Sequence, residues 1–362
     1  MFSVQNKYLQ NKRKISFGSV FTYMVALNTN VINFHEKHRG KIVGLLNAFF
    51  AGSPSVFAAL YYHVFSGSGI SNKDSFGNFM ILFAVTFGIA DVMCIIFLRI
   101  YSRSPIEQKE DITVNNQELR SVAQIPSDLS SNPENNVNQK DELSPLALFL
   151  NIDYQLLTWM FSFVSSVGLV FVNNLTEFGT TFKMDAYNPN LVLIIPITNA
   201  IVSVGIGVIS DIFKEKVPRL FIFTSASGIF IFALILTMVF AVNSYAVLAF
   251  ATTLCGIGIG LIWTMGTALM SELFSVKNMG RNWGIAIFLA SIVGLEQQIA
   301  FGRIYDMNKT NPGDLYCFGI HCIQGGLGMS LGSAVISVLL GIVLIIKRRR
   351  RSMQSWTLMK DD

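Results

Sequence analysis

Charge is what this sequence has least of. Only 14% of its 362 residues are charged and 52% are hydrophobic, whereas water-soluble domains carry about 25% charge. A soluble chain of this length must cover one or two cores with polar surface, so that class is excluded. Histidine and cysteine are scarce too, with four of each. The histidines, at 35, 38, 63 and 321, have no partners at the spacing of a metal centre or a nucleophilic triad. No enzyme activity, cofactor or metal centre is therefore expected. A phosphate-binding Walker loop is missing as well. The glycine-rich runs "CGIGIGLIW" and "QGGLGMSLGS" lie inside apolar stretches, where glycine serves close helix packing, and this excludes an ATP-driven pump. The first fourteen residues are polar and basic, and no small-residue cleavage site follows them, so a secretory signal is not expected. The net charge of +5 is small, and no basic stripe with interleaved aromatics argues for nucleic acid.

What the chain does have is long apolar runs. A bilayer core takes about 20 mainly apolar residues per helix. By that measure the spans are 15–34, 41–66, 76–100, 146–173, 190–212, 219–242, 246–271, 282–303 and 325–347. The first and eighth carry the most polar residues. One long polar segment, 102–144, interrupts the series with "NNQELRSVAQIPSDLSSNPENNVNQKDELS". It cannot bury enough apolar surface to fold alone and reads as a disordered linker. Ser144 as N-cap and Pro145 in the first turn restart the helices. The expected organisation is an N-terminal block 1–101, the linker 102–144, a six-helix block 145–351 and a tail 352–362.

Lys and Arg set the orientation. With nine spans, most of them fall on the side holding the loop at 35–41, the linker, the loops at 213–219 and 272–281, and "KRRRR" at 347–351. That side is expected to be cytosolic, and the tail can attract anionic lipid. The cluster Lys7, Lys12, Arg13 and Lys14 falls on the other side, so charge alone slightly prefers eight spans.

Asp91 and Glu296 lie well inside their spans, where ionisable residues are costly. Asp91 is read either as a proton or cation site or as an interhelical bond. Glu296, with Gln297 and Gln298 beside it, has no cation nearby in sequence; it is read as a proton-coupling group or as a packing hydrogen-bonder. Glu177 is near the outer mouth. Asn28, Asn30, Asn173, Asn174 and Asn199 can bond across helices. Cys94 and Cys255 read as packing residues. Cys317 and Cys322, in "LYCFGIHCIQ" with His321, are too few for a closed four-ligand site, and a disulfide in a non-cytosolic loop is expected instead. "NKT" at 308–310 is an acceptor pattern for N-glycosylation on that side.

"GVISDIFKEKVPR" at 207–219 joins two spans at a basic turn. Gly207 lets helices approach closely, and Asp211 can cap a helix or pair with a cation in one conformation only. The bland alternative is an ordinary polar corner. The pattern Gly207, Ser210, Asp211 with nearby cations resembles the loop signature of the major facilitator superfamily, in its second-half position. The family pattern has Arg directly after the Asp; here Ile212 stands there, and Lys214 is the expected substitute.

Further stretches resemble the nodulin-like and monocarboxylate-transporter-like branch: "ALNTNVINF" with "RGKIVGLLNAFFAGSPSVF", "FVNNL", "SELFSVKNMGRNWG", "GRIYD" and "CFGIHC". The resemblance implies an all-α polytopic membrane protein, a helical bundle of about nine transmembrane helices in which the first three of twelve are missing. The basic knot "HEKHRGK" at 35–41 is then a cytosolic loop. It also implies that Asn28, Trp159, Asn173 and Trp263 face a central cavity, an apolar wall with a few polar fixings.

The expected function is secondary transport of a small solute, an organic anion or monocarboxylate, by alternating access about a midplane site, with protons as the coupling ion. The membrane is the plasma membrane or a vacuolar or other endomembrane. The alternative is a truncated, non-transporting membrane protein or scaffold.

Overall fold

The computed structural model describes residues 22–34, 36–65, 73–99, 144–213, 216–309 and 316–358. The expected linker up to residue 143, Lys214 and Thr310 lie outside them. Among the described residues there are helices and no strands. In chain order they are α1 (22–33), α2 (Arg39–Leu60) continued by a π turn Tyr61–Phe65, and α3 (Lys73–Phe97). Next come α4 (Pro145–Leu150), α5 (Ile152–Asn173), α6 (Leu175–Thr181), α7 (Asn188–Ile212), α8 (Arg219–Val239), α9 (Tyr245–Leu273), α10 (Met279–Met307) and α11 (His321–Leu358). Seven helices among the described residues are long and apolar enough to cross a membrane.

The long helices run alternately between two ends. At one end lie Lys41, Arg219, Arg281 and Arg348, where α2, α5, α8 and α10 begin and α7 and α9 finish. This is the basic end. At the other, Cys317 and Cys322 are joined by a disulfide with Cα atoms 5.9 Å apart. The Gly319 N–H donates to the Thr181 carbonyl (3.0 Å), and Lys183 Nζ lies 5.7 Å from the Phe318 ring centroid. The disulfide loop is thereby tied to the segment after α6.

Sequence and structure differ at one junction. The single expected span 146–173 is two helices. Ser144 Oγ accepts from the Ala147 N–H (3.2 Å), and α4 starts with Pro145 in its first turn. It stops within two turns because Asn151 takes extended backbone and its side chain accepts from the N–H groups of Asp153 and Tyr154. A capping side chain there satisfies a new helix start and ends the old helix. In α2, Pro54 has no N–H to offer the Phe50 carbonyl; Ser53 Oγ donates to that carbonyl instead, at 3.0 Å.

The core sits among α5, α8, α9 and α10. Phe161, Phe223, Phe230 and Trp283 are fully buried there, with Phe161 and Trp283 ring centroids 4.8 Å apart. Polar pairs join helices where no water competes. Ser337 on α11 donates to the Met160 carbonyl of α5 (3.0 Å) and meets Ser227 of α8 (2.9 Å). Asn174, at the junction of α5 and α6, and Gln298 of α10 exchange amide hydrogen bonds at 3.1 and 3.0 Å. In the N-terminal block, Tyr23 of α1 packs on Phe50 of α2 (4.5 Å) and Phe57 of α2 on Phe83 of α3 (4.9 Å). The outer face of α3 is exposed along its length.

Candidate functional site

The two blocks meet along α2 and α7. Both carry small residues at helical spacing: Gly40 and Gly44 on α2, Ser203 and Gly207 on α7. Residues four apart share a helix face, so each helix offers a groove to the other. The approach is close enough to exclude side chains. A methyl group on Gly44 would collide with the Ser203 carbonyl oxygen and come within 3.2 Å of the Gly207 Cα. A methyl on Gly207 would collide with the Gly40 carbonyl oxygen. Further along, the Cβ direction of Gly52 points at Ala200 Cβ, 3.5 Å away. Toward the disulfide end, Val56 of α2 and Val64 of the π turn that follows it are exposed. The seam is shut at the basic end.

A buried carboxylate closes it. Asp211, in the last turn of α7, accepts from the N–H groups of Gly40 (3.1 Å) and Lys41 (2.9 Å) in the first turn of α2. Those donors have no partner inside their own helix, and the first turn carries the positive end of the helix dipole. Asp211 therefore caps α2 across the seam. Arg219, at the start of α8, holds the carboxylate from the other side at 2.5 Å. The same guanidinium reaches Glu272 at the end of α9, at 3.3 Å. The Asp211 and Arg219 side chains are each 1% exposed. A buried pair of this kind is costly to break from one side, by about 3–5 kcal/mol. Lys214, the expected cation of this turn, lies outside the described residues; the residue that holds Asp211 is Arg219. Ser210 is buried and donates to the Gly207 carbonyl (3.1 Å), within α7.

About two helical turns deeper, Asn47 of α2 donates to Ser203 Oγ of α7 (2.7 Å) and to Thr264 Oγ1 of α9 (3.3 Å). Ser203 Oγ in turn donates to Asn199 Oδ1 (3.0 Å). All four side chains are buried. Of these, sequence reading singled out only Asn199. The four-residue spacing of Gly40 with Gly44 and of Ser203 with Gly207 was the signal available for the seam.

The residues expected to face a cavity do not converge. Asn28 of α1 lies beside Gly280 at the start of α10, near the basic end. Trp159 is 39% exposed, and its indole N–H donates to Gln155 (3.0 Å). Trp263 packs edge-on against Phe161 at 5.5 Å. Asn173 is exposed, while its neighbour Asn174 makes the bond to α10. Asp91 is exposed and accepts from Thr22 Oγ1 at 3.4 Å. Glu296 is exposed on α10, between Leu295 and the buried Gln297, which donates to Ser333 of α11 at 2.5 Å. Cys317, Cys322 and His321 have their ligand atoms within 4.8 Å of one another, but the two sulfurs are bonded to each other.

Residues 15–295 match the model of the Major Facilitator Superfamily. The chain belongs to the major facilitator superfamily. No curated protein matches it. Major facilitator proteins are membrane transporters rather than enzymes, and this chain is an integral, multi-pass membrane protein whose helical bundle is of that type.

Proposed function

We propose that this major facilitator protein is a secondary-active transporter that moves a small solute by alternating access, and that the arrangement described above is its state closed at the basic end. The supporting observation is the Asp211 carboxylate, which belongs to α7 but satisfies the first-turn N–H groups of α2. Such a bond exists only while the two blocks touch there, so it is made in one state of the cycle and broken in the other. The basic end is the cytosolic end on the Lys/Arg distribution. Small organic anions, monocarboxylates among them, are the solute class, on the sequence resemblance to the nodulin-like and monocarboxylate-transporter-like branch. Protons are the coupling ion, with Glu296 as the candidate coupling residue. Asn28, Trp159, Asn173, Trp263 and Asp91 remain candidates for the transport path.

Asp211→Asn tests the reading in proteoliposomes, with uptake measured over a panel of labelled monocarboxylates. Asn keeps the shape but removes the nearer of the two carboxylates that the buried Arg219 serves, leaving it Glu272 alone. The native protein accumulates at least one solute down an imposed pH gradient, and the variant loses most of that rate while keeping its fold. If native protein with an intact fold moves no solute, a second reading holds: a non-transporting scaffold. The exposed apolar face of α3, which includes Ile81, Val85, Ile89 and Ile96, favours that alternative.

A further inference from the structure

At the disulfide end, the short turn 317–322 gathers three side chains that can ligate a metal. The ligand atoms of Cys317, His321 and Cys322 all lie within 4.8 Å of one another. Both cysteines are buried and His321 is exposed, with its Nε2 3.6 Å from Cys322 Sγ. Backbone bonds hold the turn independently of the link between the sulfurs. The Cys317 N–H donates to the Tyr305 hydroxyl (2.9 Å), the Gly319 N–H to the Thr181 carbonyl (3.0 Å) and the Cys322 N–H to the Gly319 carbonyl (3.1 Å). Gly319 has a φ of 99°, a conformation that glycine takes without strain, and a methyl group there would come within 3.2 Å of His321 Nδ1. The three ligands therefore stay gathered when the disulfide is reduced.

The geometry points to a redox-gated zinc site: with the Cys317–Cys322 bond reduced, the two sulfurs and His321 Nε2 bind one Zn²⁺ and leave its fourth position to water. Thiolate and imidazole are ligands that suit zinc, whereas Mg²⁺ and Ca²⁺ take oxygen. Three ligands are too few for a closed structural site, but they make an open one. Two thiolates on a tetrahedral zinc stand about 3.8 Å apart, given Zn–S bonds of about 2.3 Å, so the sulfurs need only turn apart about their Cα–Cβ bonds. A thiol or dithiol reductant gives the disulfide two electrons and two protons and itself becomes a disulfide. Zinc then takes both sulfurs as thiolates, and their two protons pass to solvent. The thiol–disulfide balance at this end of the protein decides which of the two links closes the turn. The site does not depend on the transport reading, because occupancy is measured by binding and not by uptake.

The test uses the purified full chain in neutral detergent, reduced with a phosphine that does not compete for the metal, beside the same protein left oxidised. Cd²⁺ is the probe, because its bonds to thiolate add an ultraviolet charge-transfer band. A single equivalent should saturate that band in the reduced chain, the oxidised chain should show none, and Zn²⁺ should displace the probe. Cys317→Ser/Cys322→Ser should abolish the band although Cys94 and Cys255 remain as free thiols. His321→Gln should weaken binding by at least the roughly tenfold that even outer-shell changes cost. Should the double variant fail to fold, alkylation of the native reduced chain answers the same question: Zn²⁺ should slow labelling of Cys317 and Cys322, read by peptide mass. The assignment is overturned if the reduced chain takes up no Cd²⁺, if the band survives in the double variant, if His321→Gln binds as tightly as the native chain, or if Zn²⁺ leaves the labelling of both cysteines unchanged.

Discussion

The Asn47 amide of α2 donates to Ser203 Oγ of α7 at 2.7 Å, across the seam between the two blocks, with both side chains buried. Neither group has water to fall back on while the seam is shut. Interhelical hydrogen bonds inside membranes contribute about 0.6 kcal/mol on average and up to about 1.7.

Asn47→Ala should therefore weaken the shut state by about 1 kcal/mol, since it leaves Ser203 and Thr264 without their common donor. The check is alkylation of a cysteine placed at Ala200 beside the seam: labelling should become several-fold faster in the Asn47→Ala background. An unchanged rate would mean that the network does not help to hold the seam.

Gly52 and Ala200 offer a direct lock. The Cβ direction at Gly52 comes within 3.5 Å of Ala200 Cβ, at the near edge of the approximately 3.5–4.5 Å that disulfides span. Gly52→Cys with Ala200→Cys should cross-link under mild oxidation, and the cross-linked protein should lose uptake that thiol reduction restores. Full uptake by the cross-linked form would show that this seam does not open during transport.

Arg219 serves two acids at once. Arg219→Gln strands the buried Asp211 and should lower stability by about 3–5 kcal/mol, read as a fall in the unfolding midpoint. Combining it with Asp211→Asn removes both charges, so the double variant should be more stable than the sum of the two single losses implies. Additive losses would mean that the ion pair contributes nothing of its own. Arg219→Lys keeps the charge but cannot span Asp211 and Glu272 with one planar group, and it should rescue only part of the loss.

Glu296 has no hydrogen-bond or ion-pair partner among the described residues. On the proposed proton coupling, Glu296→Gln should abolish uphill, pH-driven accumulation while expression and solute exchange persist. Accumulation that still follows the pH gradient in the Gln variant would make Glu296 a structural residue.

The helices were the most legible part of the sequence. Apolar runs placed α8, expected at 219–242 and found at Arg219–Val239, and α9, expected at 246–271 and found at Tyr245–Leu273, because lipid leaves the chain few alternatives to a helix. The break at Asn151 was not legible, since one capping side chain decides it and hydropathy barely changes there. The Gly207, Ser210, Asp211 corner could be read as a conformational element, but its partners could not. Gly40 lies 171 residues from Asp211 in the chain, and it contributes a backbone N–H, which any residue type but proline would offer. Arg219 was in view as a turn residue, yet spacing alone could not rank it against the nearer Lys214. Asn47 carried no signal at all: one Asn among apolar residues looks the same whether it meets Ser203 or lipid.

The helix cap that Asp211 supplies from outside α2 has an osmotic consequence. On the proposed alternating access the blocks part, and the Gly40 and Lys41 N–H groups, the Asp211 carboxylate and the Asn47 amide then exchange protein partners for solvent, so that opening takes up water molecules that closing expels. Solutes excluded from so narrow a seam lower the activity of that water and hold the seam shut. On that proposal, the balance between the two faces of the protein is tied to the water activity on the basic side, even where solute gradient and membrane voltage are unchanged.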